Sequence, residues 1–344
     1  MNIELKSSLS SKKTLLILTV IAIFSAAICC LFGEIGLPIL IAFCALVFSF
    51  DSSEKKIYSL VTAISVASIN AVVLILASLP IVFADGTGVK ILAITPSFFG
   101  VTAIICAVIL SFSLARKSSK TDTAYIMTLI CSVFLGISLV LLAMIRVGEF
   151  SFEAVSTFYG NLIDSVRPYL QEYFIQMFAS IQTAITVDEA NVLIDSILEL
   201  VIGFVFIWSF FIVGLSMKLY CFVVKRLSDI KDFIVSWRFM PTPIFAYFYA
   251  IVGVSIMFFQ NSSDVLAVTA LNLEYIFMFI FAYVGFNFLI TVLSRRIPAV
   301  FALIICLIAV IVLSSVAIQV LSYVGLMFVL VKDKQEKFGK KNSN

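Results

Sequence analysis

The chain has 344 residues, 62% of them hydrophobic and only 12% charged, with a net charge of +3 and a mean hydropathy of +1.17. Soluble chains carry about a quarter of their residues charged, so this one lacks the charge to cover a water-facing surface. An all-α, polytopic transmembrane helical bundle is expected. Histidine is absent, which removes the commonest general base and metal ligand, and 34 Phe against 7 Pro and 14 Gly exclude disordered low-complexity tracts.

In chain order, Lys6, Lys12 and Lys13 precede an apolar run from Leu15 to Phe32. A basic flank before an apolar run imitates a signal peptide. Ile28 stands just before Cys29, however, where a lipoprotein-type cleavage site needs a small residue, so the run is read as an uncleaved first helix. Spans need roughly 20 apolar residues, fewer inside a bundle. Further ones are expected at Leu37–Phe50, Ile57–Phe83, Ile91–Leu114, Ala124–Ile145, Val192–Val224, Phe239–Phe259 and Val265–Leu293. Pro38, Pro80, Pro96 and Pro298 fall near span ends, where prolines suit helix starts and stops. Asp85-Gly86-Thr87-Gly88 is read as an outer turn, since it lacks the Lys-Ser/Thr of a phosphate-binding loop. The last apolar stretch, Ile297–Val331, would be about 52 Å long as one helix, against a hydrocarbon core of ~30 Å. Ser314, Ser315 and Gln319 lie near its middle, so two short helices are expected, Pro298–Val312 and Val316–Val331, making about ten spans.

Cytoplasmic loops collect Lys and Arg. With ten spans and a cytoplasmic N-terminus, one side holds Lys6, Lys12, Lys13, Lys55, Lys56, Arg116, Lys117, Lys120, Lys218, Lys225, Arg226, Lys231, Arg238, Arg295, Arg296, Lys332, Lys334, Lys337, Lys340 and Lys341. Only Lys90, Arg146 and Arg167 remain outside. Both termini are therefore expected in the cytoplasm. The organisation read from this is a membrane half over 1–146 with five spans, an extracytoplasmic segment over 147–191, a second five-span half over 192–331, and a basic tail over 332–344. Five spans per half would suit an inverted repeat, although the halves show no self-similarity. Because the positive charge sits in cytoplasmic loops, it is no argument for nucleic-acid binding.

The outer segment repeats apolar residues at helical spacing, from Val155, Phe158, Tyr159 and Leu162 to Phe174, Met177, Phe178 and Ile181. Pro168 is expected to divide it into two helices. These either lie at the interface as amphipathic helices or form a lid over a substrate cavity. Asp188, Asp195 and Glu199 follow at spacings that put them on one helical face. That stripe either attracts a cation or cationic substrate, or is the solvated end of a long helix paired with Arg146 or Arg167.

Ionisable groups inside spans are costly and are functional candidates by default. Glu274 is the foremost here, with Asn272 and Tyr275 beside it; Asn70, Asn287 and Gln319 are neutral counterparts, and Lys218 can snorkel to the inner interface. The candidate ligand or proton site is Glu274, Asn272, Asp195 and Glu199. The seven cysteines fall in apolar runs without a CxxC pair, so they read as small apolar residues, with no metal site and no cofactor expected.

Trp237-Arg238-Phe239-Met240-Pro241-Thr242-Pro243-Ile244-Phe245-Ala246-Tyr247 is a basic-aromatic approach followed by prolines that open a span. Asn272-Leu273 and Tyr275 follow, then Arg295-Arg296-Ile297-Pro298, Gly325-Leu326 and Lys332-Asp333-Lys334. In this order the chain resembles the YybS-like family of predicted bacterial membrane proteins over most of its length, with the final Gly-x-x-Asp-basic pattern stretched. The resemblance implies a multi-pass protein of the bacterial cytoplasmic membrane. It also implies similarity, in the N-terminal half, to substrate-binding components of energy-coupling-factor vitamin transporters, which rely on partner ATPase subunits. No catalytic residue carries over. The expected function is small-molecule binding related to transport. The alternative is a non-transporting membrane scaffold or regulator, and a membrane-embedded enzyme ranks third for want of His or a paired-acid DxxxD motif.

Overall fold

The computed structural model describes residues 11–32, 36–50, 57–78, 87–115, 120–180, 184–227, 240–259 and 265–341, and among them every regular element is helical. The helices are α1 (Ser11–Phe32), α2 (Leu37–Phe50), α3 (Ile57–Ser78), α4 (Thr87–Ala115), α5 (Lys120–Val147), α6 (Phe152–Ser180), α7 (Val187–Glu199), α8 (Val201–Leu227), α9 (Pro243–Phe259), α10 (Val265–Leu293) and α11 (Ala299–Lys341). Among the described residues, four stretches are long and apolar enough to cross a membrane: Lys12–Cys29, Asp122–Leu141, Val201–Leu227 and Leu266–Leu293. The boundaries of α2 and α10 coincide with the expected spans. Pro80, Asp85-Gly86, Lys6, Lys55, Lys56, Arg116, Lys117, Lys231 and Trp237-Arg238-Phe239 lie outside the described residues.

The chain forms two compact units, one of residues 1–194 and 208–237, the other of 195–207 and 238–344. In the first unit, α2 packs against α1, α3 and α4. At 14 residues it is about 21 Å long, and it is the most deeply buried helix of the unit, with Leu37, Leu40, Ile41, Ala42, Cys44, Ala45, Leu46 and Val47 wholly enclosed. Its side chains are almost all apolar, and at its start Leu40 N–H donates to Gly36 O at 3.1 Å, outside the helix itself. The buried Ser49 hydroxyl hydrogen-bonds Tyr220 Oη at 2.6 Å and ties α2 to α8. On α3, Asn70 is buried against Gly100 of α4, where a Cβ would strike the Asn70 amide, and its Nδ2 donates to Val66 O at 2.5 Å. Cys29, Cys44, Cys106 and Cys131 are buried within the packing of this unit.

Helix α5 ends on Gly148, whose φ of +84° is the left-handed conformation that glycine adopts without strain; its N–H donates to Met144 O at 2.9 Å. Helix α6 follows, started by Ser151, whose Oγ accepts from Ala154 N–H at 3.1 Å. The expected division at Pro168 does not occur: α6 is continuous through it. Proline removes one bond, to the carbonyl four residues back. Pro168 and Asp164 are both exposed, so water can serve that carbonyl and the helix tolerates the loss. Tyr159 Oη donates to Leu139 O on α5 at 2.9 Å. Leu162, Val166, Tyr169, Tyr173 and Met177 form an exposed apolar stripe along α6.

In the second unit, α9, α10 and α11 pack on one another. The backbone is helical from Ala299 to Lys341, with no interruption at Ser314 and Ser315, where two separate helices were expected.

Helix α11 is nevertheless not a straight rod. Gly325 lies against Gly285, and a Cβ on either would strike the Phe281 or Leu321 carbonyl of the other helix. Gly285 is about 12 Å from the end of α10. The link to α11 is compact, with Ile297 N–H donating to Leu293 O at 3.0 Å and Ala302 N–H to Pro298 O at 3.1 Å. The whole path from Gly325 back to Ala299 is thus no more than about 30 Å, whereas a straight helix would need about 39 Å. The course of α11 therefore reverses between Ala299 and Gly325. Beyond it, Phe288 and Phe328 bring their rings to 4.6 Å, at the same sequence offset as Gly285 with Gly325. An antiparallel run would set Phe328 about 9 Å away along the axis. The last part of α11 therefore runs in the same direction as α10, with Lys332 level with Val292.

Candidate functional site

Helix α7 opens on a capping box that the sequence reading passed over. Thr186 Oγ1 accepts from Glu189 N–H at 3.2 Å, and Glu189 Oε2 accepts from Thr186 N–H at 2.7 Å and from its hydroxyl at 3.0 Å. The Thr-x-x-Glu spacing is the readable signal. The Thr186 backbone and side-chain donors hold the Glu189 carboxyl below its usual range. Asn191, one turn on, accepts from Arg167 Nη1 at 3.2 Å and Gln171 Nε2 at 2.6 Å, which fastens α6 to α7.

Asp188, Asp195 and Glu199 are all exposed along α7. At Leu200 the chain turns: its N–H donates to Ile197 O at 3.1 Å, and α8 begins. In an unbroken helix, Gly203 N–H would donate to Glu199 O. The side chain of Asn272, on α10, stands between them. Its Oδ1 accepts from Gly203 N–H at 2.7 Å, and its Nδ2 donates to Glu199 O at 2.6 Å and to Val268 O at 2.9 Å. One carboxamide thus serves both backbone groups that the break releases. Gly203 permits the approach, since a Cβ there would press on Asn272 Oδ1 at 3.1 Å and the Tyr275 ring at 3.3 Å. Phe204 packs edge-on against Tyr275, with centroids at 5.2 Å.

Of the four candidate residues, this arrangement unites Asn272 with Glu199, through the Glu199 carbonyl and not its carboxylate. Glu274 is two residues from Asn272 and so about 200° round the helix, on another face. It is half-buried, and among the described residues no hydrogen bond or ion pair reaches it. Its electrostatic neighbour is Tyr249 on α9. Tyr249 stacks on Phe281 with centroids at 5.4 Å and shares a 3.2 Å hydroxyl contact with Ser322 of α11. Ser322 is fully buried beside the Gly285–Gly325 crossing and donates to Gln319 O at 2.8 Å. Tyr249 and Ser322 thus join α9 to α11, and the charge of Glu274 acts on Tyr249. Tyr249 and Ser322 were not foreseen. The small residues of Ala282-x-x-Gly285 and Ser322-x-x-Gly325 were the available sign of a close crossing there. Asn287 is spent within its own helix, Nδ2 to Tyr283 O at 2.7 Å.

An all-helical chain with these long apolar helices fits an integral membrane protein. No protein-family model, curated protein or solved structure matches it.

Proposed function

We propose that this is a multi-pass protein of the bacterial cytoplasmic membrane that binds a small molecule or a proton at Glu274, in a role related to transport. The observation that carries the reading is a half-buried carboxyl without a hydrogen bond or ion pair among the described residues, set beside the Tyr249–Ser322 contact. A structural carboxyl in an apolar bundle is expected to be bonded to a neighbouring helix. A thermal-shift screen of the purified protein against vitamins, nucleosides and amino acids tests it. A ligand should raise the melting temperature of the native protein, and Glu274→Gln should weaken its binding by roughly 10- to 150-fold, the worth of a hydrogen bond to a charged group, with the unliganded melting temperature little changed. Silence across the panel, or equal binding by the variant, would sink the reading. The resemblance to the YybS-like family supports it and suggests partner ATPase subunits, because no phosphate-binding loop is present to supply energy within this chain.

A scaffold or regulator role is the second reading. It is favoured by Asn272, whose carboxamide is fully engaged in joining helices.

The charge bias supports a cytoplasmic N-terminus, and the course of α11 supports the same side for the basic tail. Its last stretch returns beside α10, so Lys332 stands near the exposed Arg295 and Arg296. A reporter fused after Asn344 should be active in its cytoplasmic form; activity only outside the cell would overturn this topology. In this reading α6 lies along the outer interface, where its exposed Tyr169 and Tyr173 suit the boundary between headgroups and acyl chains.

A further inference from the structure

A groove of about 760 Å³ runs along the second unit, lined by Phe288 of α10 and by Tyr323, Val324, Met327, Phe328, Val331 and Lys332 of α11. Its volume falls within the roughly 300–1,000 Å³ typical of ligand sites. On α11 the lining residues recur at helical spacing, so they make one continuous stripe. The Phe288–Phe328 pair forms its floor, and Tyr323, Met327 and Val331 are exposed along it. All but the last lining residue are apolar or aromatic, and the groove contains neither Glu274 nor Asn272. Its polar end is cationic. Lys332 closes it, the α10–α11 turn brings Arg295 and Arg296 to the same level, and residues 332–341 carry five lysines against Asp333 and Glu336.

We propose that this groove holds an acyl chain of an anionic phospholipid, with the headgroup phosphate at Lys332 and the Arg295–Arg296 turn. Apolar walls with a basic end are complementary to an anionic amphiphile. A zwitterionic lipid would fill the same walls and gain less from the cations. A polar metabolite would leave the aromatic walls without a match. Basic pockets of this kind between membrane helices bind acidic headgroups on the cytoplasmic side, the side to which the Lys332 end belongs in the topology above. This site is separate from Glu274, so each can fail while the other stands.

The test is native mass spectrometry of the full chain, purified and exposed to an equal mixture of phosphatidylglycerol and phosphatidylcholine with identical acyl chains. The native protein should retain phosphatidylglycerol preferentially. Lys332→Gln should cut that preference about fivefold, the worth of one cation at a membrane surface. Met327→Trp should lower retention of both lipids by filling the groove. Lys332 is exposed; gel filtration and thermal unfolding check that both variants fold as the native protein does. Equal retention of the two lipids, or retention unchanged in both variants, overturns the proposal. So does a Val331→Cys variant that crosslinks to a second copy and excludes lipid, since the groove would then be a surface between copies of the chain.

Discussion

Gly325→Ala should lower the melting temperature sharply, and Gly325→Leu should prevent recovery of monodisperse protein. At this crossing the α10 and α11 backbones are so close that even a methyl group meets the Phe281 carbonyl. Excess volume in a packed core costs about 1–3 kcal/mol when side chains can shift. Here the obstacle is backbone held in a helix, so relief requires separating the two helices. Separation would also disturb Phe288 on Phe328 and the Tyr249–Ser322 contact. Gly285→Ala should behave like Gly325→Ala, for its Cβ meets Leu321 O. Gly253 of α9 is the control, because a Cβ there has nothing within 4 Å; alanine at that position should be neutral or, by helix propensity, favourable by up to about 1 kcal/mol. Thermal unfolding in detergent, followed by intrinsic fluorescence, separates the cases. Equal melting of Gly325→Ala and Gly253→Ala would show that the crossing is not this tight.

Asn272→Leu should be the next most damaging single change. It strips partners from Glu199 O and Gly203 N–H at once. Each buried backbone group left unpaired costs about 1–3 kcal/mol, although interhelical hydrogen bonds in membranes average nearer ~0.6 kcal/mol because the unfolded state finds other partners. A loss of about 1–4 kcal/mol spans the two. The informative comparison is with Glu274→Gln, only two residues away. If Asn272 holds the helix break together and Glu274 serves a ligand, Asn272→Leu lowers stability while Glu274→Gln lowers binding. A melting temperature unmoved by Asn272→Leu would mean that the break is held elsewhere.

The contrast between these neighbours explains what could be read from the chain. Both Asn272 and Glu274 stand out as polar residues in an apolar span, and sequence alone grouped them with Asp195 and Glu199. Their separation follows from the 100° step of the helix, but which face meets which neighbour depends on partners far away in sequence. Asn272 meets residues 199 and 203, whereas the charge of Glu274 acts on Tyr249. Glu199 joins through its carbonyl, a group every residue possesses, so no residue type could signal it. Pro168 misled for a related reason. It lowers helix propensity, yet a 29-residue exposed helix absorbs the loss without ending.

By itself, the amino-acid sequence determined the helical class, the apolar character of the helices and the uneven distribution of Lys and Arg, because these depend on composition and on local periodicity. It also contained the Thr186-x-x-Glu189 cap and the small residues at 282, 285, 322 and 325, which are local patterns with local physics. Only tertiary structure decided where α7 gives way to α8 and that a side chain from α10 closes the gap. Only tertiary structure decided that the last stretch of α11 meets α10 at Gly285 and Gly325. Both are outcomes of long-range packing. A backbone group released from its own helix must find a partner wherever the fold can supply one, and two helices approach closely only where both lack side chains at the same level.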